Sequence, residues 1–496
     1  MLTLCQYLSH WAKVTSSKIA IKEGQHQLTY DQLNNKSNQV AHHLSSLNLK
    51  KGDRIGILSL NSIHVPCFIY GALKVSIVSV QINWWISGKE LEDLIEHAEI
   101  NRLIYSEDFE EIISTLKSKI ITTEITHELK ASSLFSQENI DYSVVEDDAF
   151  HIYTSGTTNI PKGIVLSHKN ILCLTQNITC ELPGMGFEQI SLISIPFFNI
   201  AGAGYLSITL LNGGTVVTLP KFDAKKVFLS LKNENITNLF LPPALISDLC
   251  NIIPDNFTGF KHLKLLHYGG APISQTLMKS AYNKFNCLLV QGYGLTETSG
   301  IVSLLRANDH EQIINADCSE IIKSAGKEIL GIKSRIINDL GEIAEIGEIG
   351  ELQVKGDNVI SQYWKNDYSD AFVEGWFRTG DYVLKSNQGY LFVLDRKNDM
   401  IITKGINVYP SEVENIIAKH PLVEQVSVLG MPCQIYGEQV AAAIVPKTKQ
   451  ITKKSLTDFC KKNLSSYKIP RQWHFVNELP KNLAGKVVRR TLRSQL

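Results

Sequence analysis

YTSGTTNIPKG, from Tyr153 to Gly163, has the small residues, paired hydroxyls and lysine of a loop that grips phosphate. As a P-loop, G-x-x-x-x-G-K-[ST], it fails twice. Counted from Gly156, the second glycine is Pro161 and the hydroxyl after Lys162 is Gly163. The upstream VVEDDAFHI predicts a strand that ends near Tyr153 and runs into a Ser/Thr/Gly turn. Backbone N–H groups in such a turn can converge on an anion, hydroxyls add donors, and Lys162 adds a compact charge. Pro161 argues against a helix starting there in the P-loop manner. The same composition also suits a plain surface turn, so the loop by itself assigns no chemistry.

Outward from this loop, strand-like and helix-like segments alternate. Leu33, Ser37, Val40, Leu44 and Leu47 step by four and three, the spacing of one helix face, and RIGILSL (Arg54 to Leu60) follows as a buried strand. TVVTL (Thr215 to Leu219), LKLLHYG (Leu263 to Gly269) and CLLVQGYG (Cys287 to Gly294) are further apolar strands. This alternation predicts an α/β fold with largely parallel sheets. The region from Ile55 to Ile82 is the most membrane-like, but Asn61, His64 and Lys74 interrupt it, and a buried strand followed by a buried helix accounts for it. After residue 325 or so, glycine-rich turns separate short strands (GEIAEIGEIGELQVKG, GWFRTGDY, GYLFVLDRK), which predicts hairpins in a smaller β-rich part. Glu342, Glu345, Glu348 and Glu351 read there as solvated strand and turn residues. Past Arg396, SEVENIIAKH is a helix with Ser411 as its N-cap, VEQVSVLGM and EQVAAAIVP are strands, and SLTDFCKKNL is another helix. A boundary near Asp395–Lys397 divides a domain of residues 1–397, with 325–397 as its β-rich part, from a small domain of residues 398–496.

At 496 residues the chain is long enough for two to four domains, and 44% apolar with 20% charged residues is globular composition. Lys+Arg and Asp+Glu are equal at 49 each, which removes any electrostatic argument for nucleic acid or an anionic membrane as partner. Nine cysteines without a C-x-x-C pair read as reduced thiols of a cytoplasmic protein, with no zinc knuckle. MLTLCQYLSHWAK lacks the basic leader and apolar run of a signal peptide and suits a short amphipathic helix. No transmembrane segment is expected.

The phosphate-like loop is not alone. QGYGLTETSG (Gln291 to Gly300) sets Thr296 beside Glu297, a hydroxyl and a carboxylate suited to a phosphate oxygen and Mg²⁺. GWFRTGDY carries Asp381, the segment after it carries Arg396, Asn398 and Lys404, and LPKNLAGKVVR carries Lys486. In this order the segments closely resemble the adenylate-forming superfamily of acyl-CoA synthetases, luciferases and adenylation domains. The resemblance spans most of the chain and is strongest from Tyr153 to Arg489. LTYDQLNNKSNQVAHHL with KGDRIGIL extends it more weakly toward the N-terminus.

The resemblance implies a large N-terminal domain of α/β subdomains plus a small β-rich subdomain, followed by a small mobile α+β C-terminal domain. It implies ATP, Mg²⁺ and coenzyme A as cofactors and co-substrates. Thr154, Ser155, Gly156, Thr157, Thr158 and Lys162 would surround the β- and γ-phosphates. Gly269, Gly270, Ala271 and Pro272 would pass along the adenine, with Gly292, Tyr293 and Gly294 beside it and Tyr293 stacked on the ring. Thr296 would hold a phosphate oxygen, Glu297 the metal, and Asp381 with Arg396 the ribose. Lys486 would bridge carboxylate and α-phosphate during adenylation. Rotation about a hinge at Asn398 would then bring Lys404 and Gly405 to the pantetheine tunnel. Asn199, His267, Gly269, Gly300 and Ile301 would line the substrate pocket.

Three positions depart from the family pattern. Asn159 replaces a usual glycine, which asparagine's tolerance of left-handed backbone makes harmless. Asn398 replaces Asp or Lys at the hinge. Asn199, in IPFFNIAGAG, replaces a common histidine beside the carboxylate; it can donate a hydrogen bond but cannot be charged. The implied activity is ATP-dependent activation of a small-molecule carboxylic acid to its adenylate, then transfer to coenzyme A. A separate carrier protein as acceptor and a catalytically inactive nucleotide- and acyl-binding protein stand as alternatives. No carrier domain follows Leu496, so a free-standing ligase is expected, as monomer or homodimer. The acid, whether fatty, aryl, small branched or amino, stays open at this point. Alternation along LLHYGG puts Leu265, His267 and Gly269 on one face of a strand and Tyr268 on the other.

Overall fold

RIGIL (Arg54–Leu58) and VSVQ (Val78–Gln81) are buried along nearly their whole length, as strands covered on both faces must be. The computed structural model that shows this describes every residue except 119, 155–161, 317–319, 366–368, 397–398, 404–405, 434–436, 449 and 482–486. The chain forms two compact units. One comprises Met1–Ile322, Glu328–Lys333 and Val354–Phe377, the other Lys323–Lys327, Ser334–Gln353 and Arg378–Leu496.

The first unit holds two twisted, mostly parallel sheets. One runs in the order Ile121–Glu124, Ile100–Tyr105, Arg54–Leu58, Val78–Gln81, Asp148–Thr154 and Lys162–Ser167, parallel except for its last pair. The other includes, in order, Ser303–Leu305, Leu288–Tyr293, Leu265–Gly269, Asn238–Leu241, Ile190–Ile193, Thr215–Thr218, Ile19–Glu23 and His26–Thr29; the first and last of these pair antiparallel with their neighbours and those between pair in parallel. In this second sheet the chain leaves Ile190–Ile193 first to one side and then to the other. That reversal makes a crevice at the carboxyl ends of the strands, the usual ligand position in open α/β sheets.

The predicted helix is Tyr30–Ser46, and Leu33, Ser37, Val40 and Leu44 are fully buried on its inner face. It crosses helix Val65–Lys74, which is buried at all ten positions. Lys74 survives there at 0% exposure because three oxygens receive its ammonium: Oδ1 of Asn34 and of Asn139 at 3.1 Å each, and Oγ of Ser9 at 3.2 Å. Burial still lowers its pKa. This is the strand-plus-helix reading of residues 55–82, and no helix among the described residues is long and apolar enough to cross a membrane.

In the second unit, strands Val423–Cys433 and Gly437–Pro446 pair antiparallel, and Gln472–Phe475 joins the latter in parallel. Val413, Ile417, Val428, Ala442, Ile444, Leu456 and Trp473 form the core between this sheet and helices Pro410–Ile417 and Lys453–Asn463. Two expectations need correction. Ser411 is not the N-cap; Tyr409 holds that position, and Ser411 lies inside the helix, donating its hydroxyl to the carbonyl of Leu394 and its N–H to Asp395 Oδ2 at 2.7 Å. Pro410, whose missing N–H costs nothing in the first turn, takes the first helical position, so the helix starts two residues earlier than a Ser411 cap would place it. Glu351 is not solvated like its three neighbours in the series. It is 7% exposed and takes Arg378 through Nε at 3.1 Å and Nη2 at 2.5 Å.

Two consequences are measurable. A methyl on Gly71 would lie 2.4 Å from Cγ1 of Val40, so Gly71→Ala should cost about 1–3 kcal/mol in urea unfolding. Gly204, a helical glycine with nothing within 4 Å, should tolerate alanine with little loss or a gain of up to about 1 kcal/mol. The second consequence concerns pH. Burial pushes His168 and His310 down to about 4, whereas the unfolded imidazoles protonate near 6.5. Stability is therefore full above pH 6.5 and drains away toward pH 4, each histidine adding a slope of up to about 1.4 kcal/mol per pH unit. Urea midpoints between pH 7.5 and 5 should fall accordingly, and His310→Gln should flatten the curve.

Candidate active site

The opening segment connects two antiparallel strands. Thr154 ends one and Lys162 begins the other, directly opposite in register, with seven residues between them. A strand follows the lysine where a P-loop would place a helix, so phosphate binding by a helix N-terminus is excluded at this position. Ser155, Gly156, Thr157 and Thr158, together with Asn159 and Pro161, lie outside the described residues.

Lys162 stands over the ring of Tyr363, with Nζ 5.5 Å from the centroid, within cation–π range. The Tyr363 hydroxyl donates to Glu297 Oε1 at 3.0 Å. A β-bridge between Ile164 and Tyr363 and the Trp364 N–H to Gly163 carbonyl bond, 2.8 Å, stitch residues 363–364 to the hairpin. The Ile360 N–H binds the Glu297 carbonyl at 2.9 Å. Two residues far apart in sequence, Lys162 and Glu297, are thus joined by Tyr363, which sequence reasoning missed. It also missed Asn358. That residue is fully buried and its amide donates to the carbonyls of Thr298 at 2.9 Å and Ile301 at 3.2 Å, while its own carbonyl accepts from Ser299 Oγ at 2.7 Å. Asn358 therefore clamps the 3₁₀ turn Thr296–Thr298 that presents Thr296 and Glu297. Neither residue carries a sequence signal beyond sitting in GDNVISQYW, where asparagine and tyrosine are unremarkable.

The glycine positions mark the carboxyl edge of the second sheet. Gly269 and Gly292 face each other across parallel strands. The chain then emerges at Gly270, which has a left-handed φ of +80°, and runs through half-buried Ala271 and exposed Pro272. Half-buried Tyr293 ends its strand, and Gly294 follows. Gly300, with φ +123°, and 8%-exposed Ile301 close the turn.

His267 and Tyr268 point to opposite faces, as alternation predicts. Tyr268 donates to His310 Nε2 at 2.8 Å, and His310 Nδ1 donates to the Arg306 carbonyl at 2.8 Å, so that pair is saturated. His267 is 1% exposed; its Nδ1 meets the Tyr205 hydroxyl at 2.7 Å and its ring lies 5.1 Å from that of Phe240. Burial pushes its pKa down to about 3, so it is neutral. Asn199 is exposed at the start of helix Ile200–Leu211 and makes no side-chain cap bond. Phe198 beside it packs edge-on against Trp84 and Trp85 at 5.1 and 5.6 Å.

In the second unit, Asp381 is buried and pairs in register with Arg396 across antiparallel strands, its N–H bonded to Thr379 Oγ1 at 3.1 Å. Asn398, Lys404, Gly405 and Lys486 lie outside the described residues. Among the described residues of this unit, Arg489 makes an ionic knot that was not expected. Arg489 contacts Asp395 at 3.2 Å, Asp399 at 3.0 Å and Glu414 at 2.9 Å, three carboxylates around one guanidinium. Asp395, one residue before Arg396, has its pKa raised by burial despite that guanidinium.

No group of three or more His, Cys, Asp or Glu side chains among the described residues could hold a metal unaided. A single carboxylate with a neighbouring hydroxyl instead suits Mg²⁺ that arrives coordinated mainly by phosphate oxygens and water. Tyr363, by taking Oε1, orients Glu297 for such a role.

Comparisons with known proteins identify the family. A family model for AMP-binding enzymes matches residues 8–364, and one for the AMP-binding enzyme C-terminal domain matches residues 412–486. The chain is 31% identical over 479 residues to the long-chain-fatty-acid–CoA ligase FadD13 of Mycobacterium tuberculosis, covering 95% of this chain and 93% of that one. It is 30% identical over 498 residues to a 2-succinylbenzoate–CoA ligase of Bacillus cytotoxicus, covering 100% and 99%. Among solved structures, the o-succinylbenzoate CoA synthetase of Bacillus subtilis in complex with its acyl-adenylate intermediate superposes with a TM-score of 0.87 at 28% identity, covering 98% and 97%. The chain therefore belongs to the AMP-binding enzyme family, within the adenylate-forming superfamily, and is one of its ligases.

Proposed function

We propose that the protein is an AMP-forming acyl-CoA synthetase. It joins a carboxylic acid to the α-phosphate of ATP, releases pyrophosphate, and passes the acyl group to the thiol of coenzyme A. The observation that carries this reading is the convergence of Lys162, Tyr363 and Glu297 beside the hairpin mouth. A cation and a metal-competent carboxylate held by one tyrosine suit a triphosphate with its Mg²⁺. The CoA-ligase relatives support coenzyme A as acceptor.

The chemistry explains the residue set. A carboxylate is a poor electrophile because its oxygen leaves badly. Attack on the α-phosphate turns that oxygen into AMP, a good leaving group, and the mixed anhydride is open to a thiol. Negative charge crowds together in the first step, so Lys162 and Lys486 act by preorganised electrostatics. Mg²⁺ at Glu297 supplies charge neutralisation on the phosphates when bound. Thr296 positions a phosphate oxygen, and Asp381 with Arg396 holds the ribose. The thiol needs the space that Lys486 leaves, so the domain of residues 398–496 turns about Asn398 and offers Lys404 and Gly405 to the pantetheine arm. The Arg489 knot fastens Asp395 and Asp399, on either side of Asn398, to the segment that follows Lys486. The substrate pocket is drawn from Asn199, His267, Gly269, Gly300 and Ile301.

ATP–pyrophosphate exchange across a panel of carboxylic acids tests the reading, followed by mass spectrometry of the thioester with coenzyme A. Exchange with at least one acid is expected; silence with every acid would favour a nucleotide-binding protein without catalysis. Glu297→Gln should lower exchange by about two to three orders of magnitude. Tyr363→Phe, which keeps the ring under Lys162, should cost less and raise the Mg²⁺ requirement. Lys486→Ala should abolish adenylate formation while thioester formation from supplied acyl-AMP survives, and equal loss of both half-reactions would sink the alternation of the small domain.

A further inference from the structure

His267 has a donor with nowhere to go. Its Nε2 makes no hydrogen bond to any described residue, although the side chain is buried and the ring is neutral. The tautomer follows from counting protons. If Tyr205 donates to Nδ1, only the Nε2–H is left without a partner. If Nδ1 donates instead, both the tyrosine proton and the Nε2 lone pair are left, and Tyr205 Oη has no other partner. The first arrangement wins, and Nε2 carries the proton.

An orphaned imidazole nitrogen alone is not a site; His168 has one beneath the N-terminal helix. The aim of His267 is what differs. Its Nε2 lies 2.7 Å from where a Cβ on Gly292 would sit, and Gly292 is paired with Gly269, two residues further toward the carboxyl edge. The ring therefore leans toward the edge at which the candidate pocket residues gather. Neither of these two paired strand positions contributes a side chain, because both carry glycine. Ile301 Cδ1, 3.7 Å from the same Cβ position, is the apolar opposite wall, and Phe240 and Tyr205 flank the ring. None of these groups is a cation, and a charged oxygen would face a neutral donor in an apolar setting, which is costly.

We infer that the acid this enzyme activates carries, beyond its carboxylate, an uncharged oxygen acceptor (carbonyl, hydroxyl or ether) that receives the Nε2–H of His267. This rests on the acyl-CoA synthetase reading and sharpens its substrate class. Tyr205 is a positioning residue, since it holds the imidazole in the donating tautomer. Gly292 is glycine because any side chain would cover the donor.

The test uses the full-length enzyme and matched acids that differ only by one such oxygen in place of a methylene. Wild type should favour the oxygenated acid by about tenfold to a hundredfold in kcat/KM. His267→Leu should bring that ratio near one by losing more rate with the oxygenated acid than with its hydrocarbon partner. Tyr205→Phe should shrink the ratio about threefold to tenfold while leaving the KM for ATP unchanged. In ¹⁵N-histidine spectra of wild type, His267 should be the neutral Nε2–H tautomer at pH 7, and its Nε2 resonance should move with the oxygenated acid alone. The inference is overturned by an Nδ1–H tautomer, by a wild-type enzyme indifferent to the oxygen, or by His267→Leu lowering both acids equally. Exchange with hydrocarbon acids only would also overturn it and leave the ligase reading standing, whereas no exchange with any acid would remove that reading itself.

Discussion

Strands Leu265–Gly269 and Leu288–Tyr293 pair in parallel from Leu265 opposite Leu288 to Gly269 opposite Gly292. Because both run the same way, both end at the same edge, and whatever follows each one is delivered to one place. Gly270–Pro272 and Tyr293–Glu297 become neighbours through this register, and so do His267 and Gly292. A slip of one residue would turn His267 to the face that Tyr268 and His310 occupy and would bury Gly292 under a different side chain. The candidate pocket, the proposed donor and the turn that carries Glu297 all depend on that alignment.

The same register explains how differently two histidines on opposite faces of the sheet behave. His310 is held from both nitrogens, by Tyr268 and by the Arg306 carbonyl, and ties helix Ala307–Ala316 to the sheet. His267, on the opposite face of the same strand, is held from one side and left pointing along the glycine strip. Both are neutral through burial. Saturation makes one a structural bolt, and its lack makes the other available to a ligand. Lys74 is a third version of the problem, a buried charge made tolerable by three side-chain oxygens.

Much of the fold was legible in the residues. Period-four-and-three spacing located helix Tyr30–Ser46, and apolar runs located the parallel strands, because burial on both faces leaves no room for polar alternation. The mismatches in YTSGTTNIPKG separated it from P-loops, and a strand after Lys162 is the structural form of that difference. Ser411 and Glu351 were misread for local reasons. A proline one residue earlier shifted the helix start, and an arginine 27 residues away removed one glutamate of a regular series from water.

What the sequence determined unaided was the order of chemical groups along the chain: a hydroxyl-rich loop with Lys162, a carboxylate at Glu297, an aspartate at Asp381 and a lysine at Lys486. That order carried the resemblance to the adenylate-forming superfamily, and through it the expected reaction. Only the tertiary structure decided who stands beside whom. Tyr363 between Lys162 and Glu297, Asn358 under the 3₁₀ turn, Arg489 among three carboxylates and Tyr205 against His267 are contacts between residues distant in sequence. Such contacts leave no periodic signature, because they are set by the packing of whole elements and not by the spacing of residues within one.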